Sequence, residues 1–238
     1  MSTFWVSVTN ACNLNCSYCF QENKAKDFLS KENADKIIKT IFSSKGDEHT
    51  IVFFGGEPLL NFDVIKYMDK KFKSKSNVKF NYSMTSNLVA VSDEMIDFIK
   101  NNEVSLSVSL DDTETTHNLN RYSKNGNINS FQETTKNLHK LLKAGVKKIT
   151  IIKVLTKNTQ ESFFEDIIFL DKFGCNISVN LDIRTEDIED VNEYRFSGFS
   201  SKNYIEQMKK IFWLTKKKQE TIWKYLTTKG NSRSCFLT

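Results

Sequence analysis

The residues best equipped for chemistry in this chain lie in one stretch, Cys12-Asn13-Leu14-Asn15-Cys16-Ser17-Tyr18-Cys19-Phe20. It holds three of the five cysteines, spaced Cys-x3-Cys-x2-Cys. Thiolates are soft ligands that suit zinc or iron–sulfur clusters. A closed structural site of either kind takes four ligands. Three thiolates fit a [4Fe–4S] cluster that keeps one iron open to a small molecule. A zinc knuckle with a distant fourth ligand is the competing reading of the spacing. Five cysteines in this arrangement do not suggest a disulfide framework. A reduced, oxygen-poor cytoplasm is the expected compartment.

Two further stretches carry candidates. In Phe53-Phe54-Gly55-Gly56-Glu57-Pro58-Leu59-Leu60, the glycines let the backbone approach a ligand closely and Pro58 stiffens the exit. Ser109-Leu110-Asp111 is followed by Arg121, twelve residues after Ser109. A strand-end hydroxyl can bond a ribose hydroxyl, and an arginine can grip a carboxylate through two parallel hydrogen bonds. His49, His117 and His139 form no metal-binding spacing. His49 is expected just before a strand, His139 on a helix face and His117 at the surface of a loop. Cys175 is expected to pack as a buried thiol.

These residues need a frame, and strand and helix patterns alternate six times along the chain. Strands are predicted at 3–9, 51–54, 78–84, 104–110, 148–155 and 176–183. In the helix predicted over 30–42, Ala34, Ile37, Ile38, Ile41 and Phe42 form one apolar stripe. A second helix is expected over 63–73, burying Ile65, Met68 and Phe72. Ser92 is expected to cap a third, a capping box Ser130-Phe-Gln-Glu133 to open a fourth with Gly145 past its end, and Thr159 to cap a fifth. A last helix is expected from about 201 into 216–225. Alternating strands and helices call for a parallel sheet with helices packed outside it. Six units are too few for an eight-fold barrel, so the expected α/β fold is a partial (β/α)6 TIM-like barrel with parallel strands, its chemistry at the C-terminal strand ends. Ser105, Ser107 and Ser109 alternate with apolar residues, as do Ser178, Asn180 and Asp182; the polar faces are expected to line the interior.

Composition narrows the field. The 238 residues are 39% hydrophobic and 26% charged, with a net charge of +5 spread along the chain. No apolar run is long enough to span a membrane, and no basic stripe interleaved with aromatics suggests nucleic acid. One proline and eight glycines leave no linker, so residues 1–238 are read as a single domain.

The cysteine loop directly after the first strand resembles the radical S-adenosylmethionine (SAM) superfamily. With Phe53–Pro58 and the Ser109-Leu110-Asp111…Arg121 pattern, the chain is similar to SPASM-type peptide and protein maturases, including anaerobic sulfatase-maturating enzymes. The resemblance implies that Cys12, Cys16 and Cys19 hold a [4Fe–4S] cluster whose open iron chelates SAM, and that reductive cleavage of SAM yields a 5′-deoxyadenosyl radical. It implies SAM contacts for Gly55, Gly56, Glu57 and Pro58 at the amino group, Ser109 at the ribose, Arg121 at the carboxylate and Phe20 beside the adenine, and counts Asp111 and Asn87 among the cofactor-binding residues. Asn87 stands where relatives often read Thr-Asn-Gly, with Leu88 in place of the glycine. The implied partners are a peptide or protein substrate and an external electron donor such as ferredoxin or flavodoxin. Family members carry auxiliary clusters in a C-terminal extension; Cys235, in the last ten or so residues, is either the first ligand of such an extension or a plain surface cysteine. No leader-peptide-binding domain is expected before the barrel. The alternatives are a glycyl-radical-enzyme activase, against which Ser109-Leu110-Asp111 argues, and a non-catalytic iron–sulfur relic or fragment.

Overall fold

Period-two apolar runs become strands and 3.6-period stripes become helices. The computed structural model describes residues 1–21, 26–75, 77–123, 125–156, 158–182, 188–190, 195–196 and 206–211. In chain order these form β1 (Ser2–Thr9), α1 (Lys31–Ser43), β2 (Glu48–Gly55), α2 (Phe62–Lys73), β3 (Lys79–Ser86), α3 (Asp93–Asn101), β4 (Ser105–Ser109), α4 (Glu114–Asn120), α5 (Ser130–Lys143), β5 (Ile149–Leu155), α6 (Phe163–Asp171) and β6 (Asn176–Leu181). A short antiparallel ribbon, β7 (Ile188–Asp190) with β8 (Arg195–Phe196), follows. The main sheet runs in sequence order, β1-β2-β3-β4-β5-β6. The pairings of β1 with β2, β2 with β3 and β3 with β4 are parallel. This is an α/β fold consistent with a partial TIM-like barrel.

The chain divides into two compact units, Met1–Ser109 with Asn118–Thr150, and Leu110–His117 with Ile151–Thr238. In the first, α1 buries Ala34, Ile38 and Ile41, and α2 buries Ile65, Met68 and Phe72. Phe72 stacks on Phe80 at 4.6 Å and Phe53 on Tyr82 at 5.7 Å, so the sheet–helix layer here is largely aromatic. In β4, Leu106 and Val108 are buried while Ser105 is exposed and Ser107 and Ser109 are half-buried, the expected split between faces. In the second unit, Leu155, Phe163, Ile167 and Ile211 form an apolar cluster against which Ile177 and Val179 pack.

Helix ends followed local chemistry in some places and tertiary contacts in others. Ser30 and Ser92 cap α1 and α3 through their hydroxyls, and Gly145 takes φ +85° just past α5. The expected capping box at Ser130 is not formed: Asn129 caps α5, and the Ser130 hydroxyl instead bonds the Arg121 carbonyl and Asn118 Oδ1. Thr159 does not cap α6 either. Ser162 stands at that position, while Thr159 accepts the Thr156 N–H within its own turn. His49 lies inside β2, buried, with its ring edge-on to Phe4. His117 is buried in α4 rather than on a surface loop, because its Nδ1 accepts the Asp111 N–H. His139 is exposed on α5. Cys175 is half-buried just before β6. Of the expected last helix, residues 206–211 are helical; its remainder, Ile183 and Cys235 lie outside the described residues.

Candidate active site

The cysteine loop leaves β1 under tight backbone control. Thr9 Oγ1 accepts the Ala11 N–H at 3.0 Å and donates to the Asp27 carbonyl at 2.6 Å, turning the chain at the strand end. Gly56 N–H donates to the Thr9 carbonyl at 2.9 Å and Glu57 N–H to the Ala11 carbonyl at 2.8 Å. The two glycines are dictated by this contact. Gly55 has φ +150°, and a Cβ there would lie 2.0 Å from the Thr9 carbonyl oxygen; at Gly56 it would lie 2.3 Å from that of Ala11. The close approach expected toward a ligand is thus met first by the backbone that launches the cysteines.

The far side of the loop is sewn to the segment after α4. Asn15 N–H donates to the Tyr122 carbonyl and Ser17 N–H to the Asn120 carbonyl, both at 2.8 Å. Leu14, fully buried, bridges antiparallel to Ser123. Ser17 Oγ bonds Asn120 Oδ1 at 3.1 Å, and Asn15 Nδ2 bonds the Tyr122 hydroxyl at 3.2 Å. Arg121, 6% exposed, lays its guanidinium over the Tyr18 ring at 5.1 Å. Arg121 therefore sits in the segment that braces the cysteines. Sequence reasoning missed Tyr18, Asn120 and Tyr122, because more than a hundred positions separate the partners and nothing local marks the pairing.

A third support comes from the ends of β2 and β3. Glu57 is buried, 2% exposed; its Oε1 accepts from Leu59 N–H at 3.1 Å and the Ser86 hydroxyl at 2.9 Å, and its Oε2 from Asn87 N–H at 2.7 Å. Burial pushes its carboxyl up to about 7, against the pull of these three donors. Pro58 opens the short 3-10 turn that Glu57 caps. Leu88, at the expected glycine position, does adopt the left-handed conformation with φ 55°. Ser86 Oγ receives its N–H and Asn137 of α5 bonds its carbonyl, which holds a leucine where glycine would be at ease. Asn87 Nδ2 reaches the cysteine loop, 2.8 Å from Asn13 Oδ1 and 3.8 Å from Cys12 Sγ. Among the other candidates, Ser109 ends β4 half-buried and Phe20 is 86% exposed directly after Cys19.

The second unit holds two features of its own. Asp111 is fully buried and its Oδ1 accepts the Val154 N–H at 2.9 Å. Beside it in sequence, Asp112 joins a charged cluster that sequence reasoning overlooked. Lys153 is fully buried, with Nζ 2.8 Å from Asp166 Oδ2 and 3.3 Å from Asp112 Oδ2. Burial pushes Asp112 up to about 6 although Lys153 pulls it down, and Asp166 is raised for the same reason. The signal was available: Lys153 falls on the buried face of β5 with Ile149, Ile151 and Leu155, and a lysine there requires acidic partners.

Comparison with known proteins identifies the frame. The family model of the Radical SAM superfamily matches residues 6–170, more than half of the chain. The chain belongs to the radical SAM superfamily. It is 29% identical over 204 residues to the radical SAM cyclopropyl synthase TigE of Paramaledivibacter caminithermalis, covering 78% of this chain and 42% of that protein. It is 27% identical over 221 residues to a cysteine-type anaerobic sulfatase-maturating enzyme of Clostridium novyi, covering 84% of this chain and 56% of the enzyme. The solved structure of native anSMEcpe with bound AdoMet and Cp18Cys peptide superposes with a TM-score of 0.72 at 21% identity, over 90% of this chain and 59% of that one, a likeness of fold. The chain spans about half the length of the curated relatives it matches.

Membership of the radical SAM superfamily implies a [4Fe–4S] cluster and SAM, and the donor set fits the cluster. Cys12, Cys16 and Cys19 are half-buried on one loop, and among the described residues none is disulfide-bonded. Cys12 Sγ accepts the Leu14 N–H at 3.4 Å, a bond suited to a thiolate. Among the described residues no three His, Cys, Asp or Glu side chains converge as ligands of one metal ion. Each thiolate of a four-iron cluster binds a different iron, so such convergence is not required.

Proposed function

We propose that this chain is the radical-generating core of a SAM-dependent enzyme that modifies a peptide or protein, with Cys12, Cys16 and Cys19 as the ligands of its [4Fe–4S] cluster. The observation that carries the reading is the cysteine loop itself: three thiols on one loop, braced from both sides by backbone hydrogen bonds. When bound and reduced by an external one-electron donor, a cluster with SAM on its open iron supplies the 5′-deoxyadenosyl radical that takes a hydrogen atom from the substrate.

The chain's own residues bind and orient. The Arg121 guanidinium is the partner for the SAM carboxylate, a group it can grip through two parallel hydrogen bonds; its stacking on Tyr18 restricts the side chain in advance. Ser109, at the C-terminal end of β4, suits a ribose hydroxyl, with Asp111 following it, and exposed Phe20 suits the adenine face. Gly55, Gly56, Glu57 and Pro58 fix the backbone that launches the cysteine loop, a position suited to the SAM amino group. The choice of a peptide substrate follows the sulfatase-maturating relatives and the fold neighbour, whose structure holds a peptide.

The test is incubation of the anaerobically reconstituted chain with SAM, a reductant and a panel of cysteine- and serine-bearing peptides, followed by mass spectrometry. Formation of 5′-deoxyadenosine in step with a mass change on a peptide is expected. 5′-Deoxyadenosine formed at one unchanging rate, with every peptide unaltered, would refute the substrate class.

A further inference from the structure

We propose that Asn87 is a positioning residue for the cluster: its side-chain amide donates to Cys12 Sγ and makes the cluster easier to reduce. This rests on the reading that the three cysteines hold a [4Fe–4S] cluster.

The amide has only one workable orientation. Its Oδ1 accepts the Val89 N–H at 2.9 Å, so Nδ2 faces the cysteine loop. There it lies 2.8 Å from Asn13 Oδ1 and 3.8 Å from Cys12 Sγ. A flipped amide would set two oxygens against each other at Asn13 and two N–H donors against each other at Val89. The backbone of Asn87 is fixed as firmly, its N–H on Glu57 Oε2 and its carbonyl on Thr134 Oγ1, both at 2.7 Å. The residue is 6% exposed, so water competes little for the amide. A donor held this rigidly acts on the sulfur without reorganising.

The direction of the effect follows from charge. An N–H aimed at a ligating thiolate stabilises negative charge on sulfur, and one-electron reduction adds negative charge to the cluster and its ligands. Each donor therefore favours the reduced form. The Leu14 N–H, at 3.4 Å, is a backbone donor to the same sulfur that substitution at Asn87 leaves in place. Asn87 supplies the side-chain donor, and it does so from the end of β3, seventy-five positions away.

The experiment is an EPR-monitored redox titration of the reconstituted protein beside Asn87→Asp, Asn87→Ala and Thr134→Val. Asn87→Asp keeps an oxygen for the Val89 N–H but turns a repulsive oxygen toward Cys12. At a fixed solution potential its ratio of reduced to oxidised cluster is expected to fall about tenfold, a shift of about 59 mV for a one-electron couple, with Asn87→Ala between it and the wild type. Thr134→Val loosens the Asn87 carbonyl without touching the amide; it is expected to lower the thermal midpoint and leave the potential unchanged. Equal potentials in wild type and both Asn87 variants, at equal iron and sulfide content, would overturn this inference and leave the proposed function standing. A wild type that takes up neither iron nor sulfide would overturn both. If the Asn87 variants do not fold, pulsed EPR of the reduced wild type labelled with 15N at asparagine side-chain amides decides: nitrogen coupling to the cluster is expected, and its absence overturns the inference.

Discussion

Glu57 and Asp112 are both buried carboxylates pushed above the ordinary carboxylate range, and they are held by opposite means. Glu57, beside the cysteine loop, is gripped by two backbone N–H groups and a hydroxyl. Asp112 is held through an ion pair with buried Lys153, and its other oxygen, Oδ1, has no hydrogen-bond partner among the described residues. Neutral backbone donors fix the position of a carboxylate and, in return, the path of the backbone that supplies them. An ion cluster fixes charge balance, so it fails as a unit when one member is lost. The backbone beside the cysteine loop is held by the first device, and the layer under α6 by the second.

Breaking the ion cluster should have the largest effect. Lys153→Met leaves Asp112 and Asp166 buried without their cation and is expected to cost about 3–5 kcal/mol, read as a lowered denaturant midpoint. Adding Asp112→Asn and Asp166→Asn to it should recover much of the loss; no recovery would mean that lysine packing, rather than charge, holds the layer. Next comes Gly56→Ala, whose Cβ would meet the Ala11 carbonyl at 2.3 Å. It is expected to cost roughly 2–3 kcal/mol and to lower iron uptake, because the backbone that must move launches the cysteine loop. Gly145→Ala, with open space around its Cβ, is the contrast: a cost of about 1 kcal/mol and unchanged iron uptake.

Glu57→Gln sharpens the comparison through pH. A carboxyl whose folded pKa lies above its unfolded value stabilises the fold while protonated. The Glu57 contribution is complete below about 4.5, declines as pH rises toward about 7 and is level above that. Glu57→Gln should remove this slope from chemical denaturation curves taken across that window. It should also cost about 1–2 kcal/mol at pH 5, since an amide N–H₂ then faces the Asn87 N–H. Asp112→Asn should remove a slope in a lower window, from 3.8 to about 6. An unchanged pH profile in both variants would erase the distinction between the two regions. The smallest effect expected is that of Asn129→Ala, about 1 kcal/mol, confined to the start of α5.

Much of the frame was legible because it follows from short-range periodicity. The six strands, the apolar stripes of α1 and α2, and the cap at Ser92 follow from neighbouring residues alone. The cysteine triple was legible for a similar reason: all three cysteines lie on one loop. Long-range choices were not legible. Ser130 and Asn129 can each cap a helix, and the Arg121 carbonyl, which engages Ser130, decided between them. The seam from Asn15 and Ser17 to Asn120 and Tyr122, and the bond from Asn87 to Cys12, join segments whose sequences carry no sign of each other. Lys153 differs from these. Its place on an apolar strand face was readable, and only its acidic partners needed the fold.

The most direct test of the central claim is release of 5′-deoxyadenosine from SAM by the anaerobically reconstituted, dithionite-reduced chain. The control is the Cys12→Ala, Cys16→Ala, Cys19→Ala triple variant treated alike. Release well above the control is predicted, together with iron and sulfide bound by the wild type alone. Iron and sulfide bound equally by both proteins, with release no greater than the control, would contradict the assignment of the three cysteines and the radical chemistry built on it.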